Sequence, residues 1–338
     1  MISLIKEVGR GKRGSRDLTY EEAVQAAELI LSGEATPVQI GAFLAAERVK
    51  MESADELLAF VHALRKRSLL HPVPGSLDCA GPYDGRTKSY MATWAVSFVV
   101  ASCGVPVTLH GSAPLPPKHG VTLQDVALQW GAQLEDRSKL LQAAERSGVL
   151  FVPAEEWCTA LRDIRPYREQ MGIRTIFHSV EKLLRFSDAP YMAIGIFHGT
   201  VFEKMAELVS RLGVRSGIII QGAEGSEDLL PNKRTRTFLV REGEAPELYV
   251  VDPEAYDLQA ELPEGEIWTA ERQAHVTADV LEGHTVSPYF NMVLLNSAVR
   301  LWAAHAAGSV EEGIERALSA IRQGAAYESY RKWQEAVR

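Results

Sequence analysis

Cysteine is scarce here: Cys79, Cys103 and Cys158 are the only three in 338 residues. An odd, widely spaced set cannot build a disulfide framework and lacks zinc-ligand spacing, so a reducing, cytoplasmic setting is expected. The opening residues, MISLIKEVGRGKRG, have no apolar core followed by a small-residue cleavage site, so no secretory leader is expected. Internal repeats and low-complexity segments are absent. So are a P-loop, a dinucleotide fingerprint, a Ser-His-Asp or Cys-His arrangement, and a paired-carboxylate glycosidase site at readable spacing. Charge is missing altogether from residues 89–117, a run long enough to span a bilayer. Thr93, Ser97, Ser102, Gly104 and Pro106 interrupt that run, and it divides into a helix over 91–102 and a strand over 105–109. A membrane span is therefore rejected.

What is present is an ordinary globular composition, 46% hydrophobic and 24% charged, with a net charge of −8. The charge is unevenly placed. Residues 242–266 hold nine acids and neither Lys nor Arg, so the rest of the chain sums to about +1. The first sixteen residues carry Lys6, Arg10, Lys12, Arg13 and Arg16 against Glu7. An acidic total therefore does not exclude an anionic partner.

The first seventy residues predict three helices. Thr19-Tyr20-Glu21-Glu22 and Ser53-Ala54-Asp55-Glu56 are capping boxes, and Thr36-Pro37-Val38-Gln39 supplies an N-cap, a proline at the first helical position and a glutamine at the third. The helices are expected to end near Gly33 and Leu70, with Pro72-Val73-Pro74-Gly75 as an exit linker. This gives a small all-α unit over 1–72 and an α/β unit over 73–338. In the second unit, strand-like runs at 76–80, 105–109, 149–152, 191–197, 217–221, 237–240 and 247–251 alternate with amphipathic stretches, which predicts a mainly parallel sheet covered on both faces. Helices close the chain over 291–307 and 309–324.

Ligands of such sheets bind in loops beyond the carboxyl ends of strands. Four loops qualify. Gly81-Pro82-Tyr83-Asp84-Gly85-Arg86-Thr87-Lys88 combines glycines, which let a backbone approach phosphate oxygens, with two cations. His110-Gly111-Ser112 leads into a proline-rich arm ending at Lys118. Glu227 and Asp228 form an acid pair on a glycine-flanked loop, a pattern that suits Mg²⁺ held together with substrate phosphates. Arg168 and Arg174 flank a segment leading into the sheet and could grip a carboxylate. Each loop alone is a weak signal, and plain turns, structural histidines and surface arginines compete with the functional reading.

Together these motifs resemble the anthranilate phosphoribosyltransferase family over nearly the whole chain. Gly33-Glu34-Ala35-Thr36-Pro37-Val38-Gln39-Ile40-Gly41-Ala42-Phe43-Leu44 is similar to its helical-domain signature, and Gly172-Ile173-Arg174-Thr175-Ile176-Phe177 to its Gly-x-Arg-Thr-Ile-Phe segment. Pro253-Glu254-Ala255-Tyr256-Asp257-Leu258 resembles a third family motif. The resemblance implies a helical domain on an α/β domain of the nucleoside phosphorylase type, usually a homodimer through the helical domain. Such proteins displace pyrophosphate from phosphoribosyl pyrophosphate (PRPP) with the amine of anthranilate, aided by Mg²⁺. Residue by residue, it implies PRPP contacts at Gly81, Asp84, Gly85, Thr93, His110, Gly111 and Lys118, an acceptor contact at Arg168, and metal ligands at Glu227 and Asp228. The departures fall in these same loops. The family's Gly-Thr-Gly-Gly-Asp-Gly becomes Gly81-Pro82-Tyr83-Asp84-Gly85, the metal-contacting serine becomes Ala92, and Lys-His-Gly-Asn-Arg becomes Leu109-His110-Gly111-Ser112-Ala113. The amino-terminal pattern resembles the YbiB-like proteins, which keep the fold and are associated with nucleic acid. Under that alternative, Lys12, Arg13 and Arg16 would read a phosphate backbone.

Overall fold

The computed structural model describes residues 1–11, 13–283 and 287–338; Lys12 lies outside the described residues. The amino-terminal unit contains four helices, α1 (Ile2–Val8), α2 (Tyr20–Leu31), α3 (Pro37–Lys50) and α4 (Ala54–Arg65). The capping boxes at Thr19, Thr36 and Ser53 form as expected, each side chain accepting from the third helical amide while Glu22, Gln39 or Glu56 returns to the cap. Sequence reading missed α1, whose seven residues have no side-chain cap, and it carried the helix of α4 about one turn too far.

The α/β unit is a seven-stranded sheet of β1 (Leu77–Ala80), β2 (Val107–Gly111), β3 (Val149–Pro153), β4 (Tyr191–Gly195), β5 (Ser216–Ile220), β6 (Thr235–Arg241) and β7 (Glu247–Val251), in the order β3-β2-β1-β4-β5-β6-β7. The first five strands are parallel; β6 and β7 are antiparallel additions. The uncharged run of 89–117 resolves into α5 (Thr93–Ser102) and β2, both buried. No helix among the described residues is long and apolar enough to cross a membrane.

The two faces of the sheet carry different partners. On one, α5 and the carboxyl-terminal helices Pro288–Ala303, Val310–Arg322 and Ala325–Val337 share a core around Trp94, Trp130 and Trp333. On the other, the amino-terminal helices join the helix Thr159–Met171 and its neighbours around Phe60, Phe177 and Phe186. Ile40, Phe43 and Leu44, which would motivate a subunit interface on α3, are instead buried within the chain. The exposed apolar side chains of α3 are Val38 and Val49.

Candidate phosphate-binding cleft

The order in which the parallel strands are added switches sides between β1 and β4, and a crevice opens beyond their carboxyl ends, where such folds bind ligands. The loop after β1 supplies residues 81–92, that after β4 Phe197 and His198, and that after β5 residues 221–230.

At the floor of this crevice the acid pair is already satisfied. Asp228 accepts from Arg86 at 2.5 Å and from Arg300 at 2.9 Å, and Glu227 accepts from the Thr93 hydroxyl at 2.6 Å. All five side chains are buried. Burial works against the Asp228 charge, but the two guanidinium groups outweigh it and hold its pKa below the ordinary aspartate value. A dication drawn to these oxygens would sit against two guanidinium charges, so the pair as arranged does not fit Mg²⁺. Among the described residues, no cluster of three or more His, Cys, Asp or Glu side chains could hold a metal. Arg86, expected to face phosphate, therefore turns inward.

The remaining floor positions are similarly committed. Asp84 is buried and paired with Arg174 at 2.6 Å and Lys118 at 3.2 Å. Gly85 has a φ of 75°, and a Cβ there would lie 2.1 Å from the Gly120 carbonyl oxygen, so the turn demands glycine. Gly81 and Gly111 pack against Leu123. His110 is buried, with Nδ1 2.7 Å from the Tyr83 hydroxyl and Nε2 3.1 Å from Asp78. Arg168 is buried too, donating through Nη1 to buried Glu181 at 2.7 Å, while its Nε and Nη2 have no hydrogen-bond partner among the described residues. Arg16 folds back onto Glu7 and Glu22, at 3.0 and 2.7 Å, whereas Arg13 is exposed.

Above the floor, two connected cavities share Lys118 and Phe197. The larger, about 840 Å³, is lined by Lys88, Lys118, Lys233, Arg234 and Arg236, with Glu224 as its one acid. The smaller, about 490 Å³, is lined by Arg48 of α3, Lys118, Arg174 and Lys182, with no acid. Arg234 pairs with Asp252 at 2.6 Å. No ion pair engages Arg48, Lys88, Lys182, Lys233 or Arg236 among the described residues. Burial lowers the Lys182 pKa to about 8, with Arg174 adding to the effect. His178 is pushed well below its usual value by burial and by Arg168, and its ring bridges the Thr175 amide and the Pro116 carbonyl. Phe197 is 54% exposed, an apolar ring set among cations. The acidic stretch stays out: none of its nine acids lines either cavity. The register Ser216↔Arg241 places the β6–β7 turn, with Glu242 and Glu244, at the opposite end of the sheet.

Of the residues expected at the site, Lys88, Lys118 and Arg174 line the cleft, whereas Gly81, Asp84, Gly85, Thr93, His110, Gly111, Arg168, Glu227 and Asp228 line neither cavity. Sequence reading missed Arg300, Glu181, Glu224, Lys182 and Phe197. A lone arginine in the apolar run Asn291–Ala303 was a usable signal, because a buried guanidinium requires a carboxylate.

Comparison with known proteins gives one answer. Residues 84–327 match the model of the glycosyl transferase family a/b domain, and residues 2–68 that of the glycosyl transferase family helical bundle domain. The chain is 30% identical to anthranilate phosphoribosyltransferase of Herpetosiphon aurantiacus over 95% of both chains. It is 32% identical to that of Thermomicrobium roseum, over 91% of this chain and 90% of that one. Among solved structures, anthranilate phosphoribosyltransferase from Thermus thermophilus superposes with a TM-score of 0.83 at 25% identity, covering 99% of each chain. The Saccharomyces cerevisiae enzyme in complex with PRPP and Mg shares the fold, with a TM-score of 0.85 at 18% identity over 99% of this chain and 97% of that one. By sequence over nearly its whole length and by fold, the chain belongs to the anthranilate phosphoribosyltransferase family.

Proposed function

We propose that the protein binds a phosphorylated, PRPP-like ligand in the cationic cleft and that its inherited reaction, pentosyl transfer to anthranilate or a related aromatic acceptor, is weakened or redirected. The observation carrying this reading is the contrast in charge. Five cations lining the cleft have no carboxylate partner among the described residues, while the acid pair and Arg168 are paired from within. The attraction for phosphate is kept. Two aids to transfer are withdrawn, a protein site for metal and an arginine for the acceptor carboxylate. Such a transfer depends on stabilising the leaving pyrophosphate and placing the acceptor amine, so both losses bear on rate. Mg²⁺ would arrive as a complex of the pyrophosphate itself, with no carboxylate of the pair adding a ligand. Calorimetric titration with PRPP and Mg²⁺ should give binding that weakens as salt rises. The absence of binding at low salt would overturn the reading.

A second reading is favoured by Phe197 and by the length of the cationic lining, which suit a single-stranded nucleic acid with a base stacked on the ring. Its support comes from the cleft, while in the amino-terminal arm Arg16 is paired with Glu7 and Glu22. Salt-sensitive retention of a fluorescent oligonucleotide without PRPP binding would select it. The protein would act as a homodimer through its helical unit, using Val38 and Val49 in place of the buried α3 residues; a monomeric mass by light scattering would exclude this.

A further inference from the structure

The loop after β1 holds an anion, and that anion is a side chain of the protein. The Glu224 carboxylate accepts from the Thr87 amide at 3.1 Å, the Lys88 amide at 2.9 Å, the Thr87 hydroxyl at 3.2 Å and the Ser89 hydroxyl at 2.8 Å. Two consecutive amides with two hydroxyls converging on one pair of oxygens form the kind of concavity that binds phosphate. Glu224 reaches it from the loop after β5 in a left-handed conformation, φ 51° and ψ 25°, that non-glycine residues rarely adopt. Gly222 and Gly225 flank it; Gly225 has a φ of 81°, and a Cβ on Gly222 would meet the Ser226 carbonyl oxygen at 2.3 Å. Burial works against the Glu224 charge, yet the amide and hydroxyl donors prevail and keep its pKa below the usual glutamate value. The cradle opens onto the larger cavity beside Lys88 and Lys118, and Glu224 is the single acid on that wall.

We propose that Thr87, Lys88 and Ser89 form a phosphoryl-binding cradle for which Glu224 is an internal stand-in, so that a phosphorylated ligand enters by displacing the Glu224 carboxylate. The inference rests on the reading of the cleft as a phosphate site and adds to it a location and a competitor. Because the competitor is tethered, its effective concentration is high, and affinity for free phosphates stays low until it moves aside.

The test uses inorganic pyrophosphate as the probe, on the full-length wild-type protein and on Glu224→Ala and Glu224→Gln variants. By calorimetry, Glu224→Ala should bind pyrophosphate at least tenfold more tightly than the wild type, with Glu224→Gln between them. In the ¹⁵N-labelled alanine variant, pyrophosphate should shift the Thr87 and Lys88 amide resonances, and adding Ser89→Ala should remove part of the gain. Equal affinity in wild type and Glu224→Ala would overturn the stand-in while leaving the cleft reading intact. A gain in affinity without movement of the two amides would overturn the cradle, because removing a negative charge would then be the whole effect. No binding to any variant at low salt would instead overturn the cleft reading and this inference with it. The glutamine variant guards against misfolding, since it keeps the size of the side chain and one accepting oxygen, enough for one of the two amides.

Discussion

The floor and the rim of the cleft are built on opposite electrostatic plans. At the floor, each charge implicated by family resemblance has an internal counter-ion: Asp228 with Arg86 and Arg300, Asp84 with Arg174 and Lys118, and Arg168 with Glu181. At the rim, Lys88, Lys233 and Arg236 stand exposed without a carboxylate partner among the described residues. A buried charge must be paired to be tolerated, whereas an exposed one is left open to a partner from solution. The difference teaches that retained family residues need not retain family roles. Here they pair with one another, and under the proposed function the attraction for ligand comes from the rim.

The largest expected effect lies at the floor. Arg300→Ala would leave Asp228 and Glu227 short of a buried cation, and the loss of stability should be about 3–5 kcal/mol by urea unfolding. A loss below about 1 kcal/mol would break the distinction between floor and rim. Next comes Lys182, which lines the smaller cavity and donates its ammonium to the Gly195 carbonyl at 2.6 Å. Its pKa of about 8 in the folded state lies below the unfolded lysine value, so the unfolded chain binds more protons between about 8 and 10.4. Stability should therefore rise with pH across that window, while anion affinity should fall as the charge is lost. Lys182→Met should flatten both trends, as read from unfolding midpoints and calorimetry in a pH series. The smallest effect is expected in the amino-terminal arm. Arg16 is exposed and paired with nearby acids, so Arg16→Ala should leave the unfolding midpoint essentially unchanged. Together with Arg13→Ala it should alter the salt slope for oligonucleotide binding by less than about one unit, against about two to three if the arm were the reader.

Much of the fold was legible because its signals are local. Three capping boxes opened three helices, and all seven strand-like runs became strands within a few residues. The α1 helix escaped because it is only seven residues long and has no side-chain cap, so neither a capping motif nor a long periodic run marks it. Residue types at the site were legible as well, but their partners were not. Glu181 lies 13 residues from Arg168, and Arg300 lies 72 from Asp228. Only tertiary packing brings such pairs together, so spacing along the chain could not tell a ligand-facing cation from one buried on its own acid.

The central claim is that ligand phosphate is held by the rim and not by the acid pair. The most direct measurement is calorimetric titration of magnesium pyrophosphate into two variants, Glu227→Gln and the pair Lys88→Ala with Lys233→Ala. Removing two charge-assisted contacts should weaken binding by about tenfold or more in the rim variant. Affinity in Glu227→Gln should stay within about twofold of the wild type. The reverse pattern, binding abolished by Glu227→Gln and untouched by the rim substitutions, would contradict the account.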